Sequence, residues 1–237
     1  MKSFRFLSVF LLILISACSE ISNSSTVLKS KFSLNLRKSE SSFEYNPRKT
    51  ITRKMINAST TPLVLVEILN SDYIATIQSA PFPALADVWL TKDGKSLTTK
   101  DGVLVATRGF NYDLMGADVA ALKAALTKAQ TSKQPIFYDR SYRYLVKDNQ
   151  DEIITVNCEL SSAGKSPVKI FDKSYATTLL LETCQNKAVQ FENKFWVQKN
   201  GLIRKSMQWH SINLKMILIE RVIYDIHISR YNRWRST

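Results

Sequence analysis

Histidine is almost missing: 237 residues hold two, His210 and His227, both late in the chain. A Ser-His-Asp or Cys-His centre needs a base held beside its nucleophile, and two isolated histidines offer little material for one. No GxSxG elbow and no HExxH pair occurs. Zinc sites need clustered cysteine and histidine, and the three cysteines, Cys18, Cys158 and Cys184, stand far apart. The six glycines are scattered at turns, so no Gly-rich loop is available to cradle phosphate. Long apolar runs are scarce too: one exists, at the N-terminus, and none follows it. These absences argue against hydrolytic triads, metal centres and nucleotide binding. No catalytic residue, metal or cofactor is expected.

The single apolar run carries an address. Lys2 and Arg5 precede a 12-residue stretch from Phe6 to Ala17 whose only polar residues are Ser8 and Ser16. Spanning a bilayer takes about 20 apolar residues, so the run is too short to cross and fits a signal peptide, residues 1–17. Ile15-Ser16-Ala17-Cys18 is similar to a bacterial lipobox, in which the Cys thiol receives a diacylglyceryl group, cleavage precedes it and the new amine is acylated. One acyl chain binds reversibly, at about 0.8 kcal/mol per buried methylene, so several make a durable anchor. Cys18 is therefore the expected lipidation site, with membrane lipid as its partner. Ser19, rather than Asp, resembles the signal for onward sorting to the outer membrane, facing the periplasm. Export also places Cys158 and Cys184 in an oxidising compartment, where a disulfide is the default and two separate buried thiols the alternative.

The net charge of +13 is unevenly spread. Residues 18–61 hold 8 basic and 3 acidic residues, residues 62–198 hold 15 of each, and residues 199–237 hold 8 and 2. Nucleic acid is a poor partner for an exported chain. Anionic lipid headgroups, lipopolysaccharide phosphates or an acidic polysaccharide fit the surplus better, with simple solubility as the alternative; Arg230, Arg233 and Arg235 in the basic tail (229–237) are the candidate anionic contacts. Residues 18–60 are Ser-, Asn- and Lys-rich and are read as a lipidated N-terminus and flexible tether, with a weak helix possible over 50–57.

Residues 61–228 are read as one β domain. "PLVLVEIL" and "YIATIQ" flank a turn, and Asp93-Gly94 and Asp101-Gly102 predict a meander of three short strands over 87–110. "GADVAALKAALTKAQ", 116–130, predicts the one amphipathic helix, with Val119, Leu122 and Leu126 on a face. Period-two segments return at 136–146, 152–160, 167–171 and 175–184. A hairpin on Asn200-Gly201 follows within 188–209, and closing strands lie over 214–228. The fold class is mainly β, antiparallel, with the helix plugging or covering one side of a curved sheet.

Paired carboxylates do glycoside chemistry, and Asp87, Asp93, Asp101 and Asp113 are close in sequence. Asp93 and Asp101, however, precede glycine in turns, where Asp serves the backbone. Trp89, Trp196, Trp209 and the tyrosine ladder Tyr138, Tyr142, Tyr144 are candidates for stacking on sugar rings. Large aromatics on one strand face are usually core. Trp89, Tyr142, Tyr144, Trp196 and Trp209 are carried forward as candidate glycan or partner contacts.

The segment "ADVWLTKDGKSLTTKDGVLVATRGFNYDL", the cysteine pair and "NKFWVQKNGLIRKSMQW" resemble the YjbF/YmcC/GfcB family of exopolysaccharide and group 4 capsule lipoproteins. The family's "G-hydrophobic-T-R-G" segment and "D-L" pair fall on Val103 to Gly109 and Asp113-Leu114. Its later motif falls on Asn193, Phe195, Trp196, Val197, Gly201, Ile203, Lys205, Ser206, Gln208 and Trp209, and its cysteines on Cys158 and Cys184. The resemblance implies a meander sheet curled into a half-barrel with a helix, anchored by lipid. It also implies a non-enzymatic role in polysaccharide secretion or assembly alongside other secretion proteins. A protein-only scaffold docking through sheet edges, and a polysaccharide-modifying enzyme, are the alternatives.

Overall fold

The computed structural model describes residues 46–80, 86–91, 93–110, 112–146 and 150–223. Cys18, His227, Arg230, Arg233 and Arg235 lie outside the described residues. Two short helices open the ordered part, α1 (Pro47–Thr50) and α2 (Arg53–Ala58). Asn46 and Thr52 start them by accepting backbone N–H groups with their side chains. Composition placed both helices in the tether, yet Pro47 and Ile56 are buried. Ile56 has apolar partners on the sheet, and packing outweighs the weak local propensity of so short a helix.

The meander follows as its turns predict. β1 (Leu63–Ile68), β2 (Ile74–Ser79), β3 (Asp87–Leu90), β4 (Ser96–Lys100) and β5 (Val103–Arg108) pair in succession, each antiparallel to the last. Asp101 and Gly102 both take positive φ, 54° and 94°, the combination that a tight hairpin turn demands. β6 (Leu114–Ala117) pairs with β7 (Ile136–Leu145). This pairing delays the helix, α3 (Ala120–Ala129). Its expected first residues, Gly116 and Ala117, are claimed by the strand ladder opposite Arg143 and Tyr142.

The rest is hairpins. β8 (Asp151–Lys165) pairs with β7 and with β11 (Thr178–Gln185), between which β9 (Val168–Ile170) and β10 (Lys173–Tyr175) form a separate two-stranded excursion. β12 (Gln190–Val197), β13 (Ile203–Ser211) and β14 (Lys215–Ile223) continue the sheet, and β14 closes back on β1. Asn200-Gly201 sits in the β12–β13 connection, which is wider than a two-residue turn. Gln198 N–H bonds Leu202 O at 2.9 Å, and Gly201 takes φ 86°.

Twelve strands thus make one antiparallel sheet in the order β5-β4-β3-β2-β1-β14-β13-β12-β11-β8-β7-β6. Its two edge strands, β5 and β6, are neighbours in the chain, joined only by residues 109–113. A short connection between opposite edges forces the sheet to curl until the edges meet, and the result is a nearly closed barrel.

Alternation then sorts the side chains. Val64, Val66 and Ile68 face the main core with Ile217 and Ile219, while Leu63, Leu65, Leu218 and Val222 face outward beneath Ile56, Val168, Ile170 and Tyr175. Both faces of β1 are therefore covered, which is why "LVLVEI" reads as a continuous apolar run rather than an alternating one. α3 lays Leu122, Ala125, Leu126 and Ala129 against Val103, Leu160, Leu180, Phe195 and Ile203, plugging one side of the sheet.

Candidate functional site

The space enclosed by the sheet is filled, not hollow. Phe191 and Trp209 stack with centroids 4.3 Å apart, and Tyr142 meets both edge-on, at 5.9 and 5.2 Å. Tyr144 stands edge-on to Trp209 at 6.2 Å. Trp89 is buried too and donates its Nε1–H to Thr99 Oγ1 at 3.0 Å. Four of the aromatics offered as glycan contacts, Trp89, Tyr142, Tyr144 and Trp209, are thus core residues. Each is worth more desolvated inside than exposed to a sugar. Trp196 alone of the five reaches the surface in part. Its indole N–H donates to Ser166 Oγ at 3.2 Å, and Lys205 Nζ lies 5.3 Å from its ring centroid.

One charged pair sits in the interior. Glu182, fully buried, accepts from Arg140 Nη1 with both oxygens, at 2.9 and 3.1 Å, from the Tyr138 hydroxyl at 2.8 Å and from Asn193 Nδ2 at 2.6 Å. Asn193 Oδ1 in turn accepts the Trp209 backbone N–H at 2.6 Å. Burial opposes the Arg140 charge, but Tyr142 and Glu182 hold its pKa above the ordinary value. Burial, reinforced by Glu182, pushes the Tyr138 hydroxyl well up. With its acceptor positions taken, Glu182 is a structural anion and is poorly placed as a general base. It lies close to the sulfurs of Cys158 and Cys184. Those two residues face each other across β8 and β11, with Cα atoms 4.1 Å apart, and are disulfide-bonded, so no thiolate pair remains there for a metal.

A second polar cluster closes the seam where β5 meets β6. Asp113 accepts from the backbone N–H groups of Gly109 (2.8 Å) and Phe110 (3.1 Å) and from Thr107 Oγ1 (3.2 Å). Thr107 Oγ1 also accepts the Leu114 N–H at 3.0 Å and contacts His210 Nε2 at 2.9 Å. Arg108 Nη1 donates to Leu114 O at 3.1 Å. Gln208, on β13, spans the barrel: its Oε1 accepts the Leu104 N–H and its Nε2 donates to Gly102 O, both at 2.9 Å. A side-chain amide here takes the part of a neighbouring strand. His210 is buried between Thr107 and Ser211, and desolvation lowers its pKa to about 4 despite Asp113 nearby. The Thr107–His210–Ser211 string superficially resembles a nucleophile and base, but all three are fully buried.

The carboxylates considered for glycoside chemistry are occupied. Asp93 and Asp101 serve turns and pair with Lys95 and Lys123. Asp113 caps the seam loop, and Asp87 takes Arg221 Nη2 at 3.4 Å. Outside the barrel, two shallow recesses of about 470 and 400 Å³ flank α3 and share Lys123. Lys100, Val105 and Asp118 line the first, and Gln130, Asn200 and Arg204 the second.

Part of the cationic surplus assigned to the two ends is folded into the domain. The Glu220 carboxylate, buried on the outer face, receives Arg48 Nη1 at 2.6 Å and Lys205 Nζ at 3.0 Å. Arg53 Nη2 pairs with Asp172 at 2.5 Å. The sequence marks Thr107, Asp113, Gln208 and Asn193 only as motif members. Thr107 and Gln208 find partners across the barrel, at His210 and at Leu104 and Gly102, and Asn193 finds them on the two adjacent strands, so spacing along the chain shows none of these pairings; only Asp113 bonds within its own loop.

The fold and its polar clusters define the class: a nearly closed antiparallel barrel packed solid with side chains and sealed by a hydrogen-bonded seam. Residues 36–222 match the family model described as group 4 capsule polysaccharide lipoprotein gfcB, YjbF, and the chain belongs to that family. A crystal structure of the hypothetical lipoprotein YmcC from Escherichia coli K12 shares the fold. Its TM-score is 0.62 and its identity 20%, over 72% of this chain and 88% of that one. No curated protein matches the chain by sequence.

Proposed function

We propose that the protein is an outer-membrane lipoprotein, anchored through Cys18 and facing the periplasm. It assists export or assembly of a capsular or other extracellular polysaccharide by binding or scaffolding, without catalysis. Family membership over 36–222, which spans nearly the whole barrel, carries the reading. The geometry supports it: most residues of the family motifs close and fill the barrel, while Trp196, half-buried on the outer face beside Lys205, is left to contact an anionic polymer. Arg230, Arg233 and Arg235 are assigned to the same anionic contacts. The protein-only scaffold is favoured by one observation: among the described residues β5 and β6 are joined through side chains of the seam and form no backbone ladder with each other. Titrating the full chain with the host's own acidic polysaccharide tests the proposal. Saturable, salt-weakened binding supports the glycan-binding form, and no binding with co-purifying secretion proteins supports the scaffold. Shortening or chemical alteration of the polymer overturns both.

A further inference from the structure

Helices α1 and α2 and the β9–β10 hairpin are far apart in sequence but form one face. Arg53 bonds Asp172 at the hairpin tip, Nε to Oδ1 at 2.7 Å. Ile56 shares a cluster with Val168, Ile170 and Tyr175. Together, residues 46–58 and 168–175 hold Arg48, Lys49, Arg53, Lys54, Lys169 and Lys173 against one acid, Asp172. The barrel between residues 62 and 198 is neutral as a whole, so this density is local. Arg48 and Arg53 are spent on Glu220 and Asp172. Lys49, Lys54, Lys169 and Lys173 are all exposed. Pairing in the hairpin sets Lys169 opposite Ser174, on the side away from buried Val168 and Ile170, and Lys173 opposite Ile170 at the rim of the face, exposed with its Nζ 5.3 Å from the Tyr175 ring centroid.

We propose that this face docks on a phosphate-bearing membrane leaflet, holding the barrel against the surface to which the chain is tied. The proposal rests on the lipid-anchor reading above. Three features point to a membrane rather than a glycan chain. The face is built of lysines, point charges suited to phosphates and not to the planar, bidentate recognition of carboxylates that arginine provides. Of its two aromatics, Tyr175 is buried with the Arg204 guanidinium 4.4 Å from its ring centroid, and Phe171 is half-buried against the Ile56 cluster, so neither offers an open stacking platform. The chain reaches the face at Asn46, 28 residues after Cys18. Even fully extended, that length keeps the face within about 100 Å of the anchor. Anchoring therefore supplies a high local concentration of headgroups. Each lysine near an anionic surface raises docking about fivefold, within a screening length of about 8 Å at physiological ionic strength.

The test uses the lipidated mature protein in vesicles of phosphatidylcholine alone or with one-third phosphatidylglycerol. It reads energy transfer from tryptophan to a dansyl headgroup. Flotation with the neutral vesicles reports the acyl anchor separately; if the protein does not float, the anchor reading fails, and the same transfer assay with added protein still tests the face. The expected result is higher transfer with phosphatidylglycerol, reversed by salt. Lys49→Gln/Lys54→Gln/Lys169→Gln/Lys173→Gln should fall to the neutral-vesicle level, while Lys128→Gln/Lys133→Gln/Lys187→Gln/Lys199→Gln, which removes the same charge from exposed lysines of other segments, keeps the headgroup response. Equal transfer on both vesicles for the unmodified protein, or an undiminished response in the four-lysine variant, overturns the proposal. Lysine-dependent retention on polygalacturonate without any headgroup response would assign the face to a glycan and overturn it as well.

Discussion

Acid should loosen the barrel at its seam, and His210 sets the window. In the folded state desolvation holds its pKa near 4, against 6.5 for an unperturbed imidazole. The folded chain therefore binds the proton less readily than the unfolded chain. Stability from a neutral His210 is complete above about pH 6.5, declines as pH falls towards 4, and declines no further below that. At 1.36 kcal/mol per pH unit, the full loss is about 3 kcal/mol, and about 2.5 kcal/mol has gone by pH 4.5. The groups facing the ring are Thr107, Ser211, Phe110 and Tyr144, with Asp113 one hydrogen bond away. Urea unfolding of the full chain at pH 7 and pH 4.5, with and without His210→Gln, isolates the contribution. Other carboxylates titrate in both proteins and cancel in the comparison. His210→Gln should cost stability at pH 7, where its bonds to Thr107 and Ser211 are imperfectly replaced. It should lose about 2.5 kcal/mol less than the parent on acidification. Equal acid losses in the two proteins would refute the claim that a neutral imidazole is locked in the seam.

Three further outcomes follow from the packing. Reducing the Cys158–Cys184 bond, which encloses a sequence separation of 26, should lower unfolding stability by roughly 3–4 kcal/mol, seen as a drop in denaturant midpoint with dithiothreitol. Leu122→Ala should cost about 2–5 kcal/mol, because the side chain is fully buried between α3 and the sheet; an unchanged midpoint would mean that α3 does not cover the core. Glu182→Ala should cost about 3–5 kcal/mol by stranding Arg140. Arg140→Met/Glu182→Leu should recover the part due to the stranded guanidinium, though not the part due to the Tyr138 and Asn193 donors left unpaired; a double variant no better than the single one would contradict the stranded charge as a main cost.

What repeats locally was legible from the residues. Asp101-Gly102 announced its turn, because few residue pairs accept two positive φ values in succession, and alternating segments announced their strands. Leu122 and Leu126 announced the buried face of α3. Legibility failed where the deciding partner is distant. Residues 47–58 look like tether until Ile56 meets Val168 and Ile170, and Arg48 meets Glu220. Gly116 and Ala117 look helical until β7 pairs with them. Trp89 and Trp209 read as core more readily than as sugar contacts and Tyr142 and Tyr144 as either, since alternation says that residues share a face but not whether that face is closed. Closure depends on β5 and β6 meeting, a consequence of strand order. The seam residues were visible as a family motif, while their task, bonding one sheet edge to the other, appeared only with the fold.

The most direct test of the account is the fate of the polymer in a capsulated host lacking the chromosomal copy of this chain. Surface polysaccharide and polysaccharide retained inside the envelope are measured separately, together with sugar composition and chain length. The account predicts a fall at the surface, retention within, and unchanged composition and length, with restoration by the unmodified chain but not by Cys18→Ala. Normal surface polymer in the deletion strain, or polymer of altered composition or length, would contradict it.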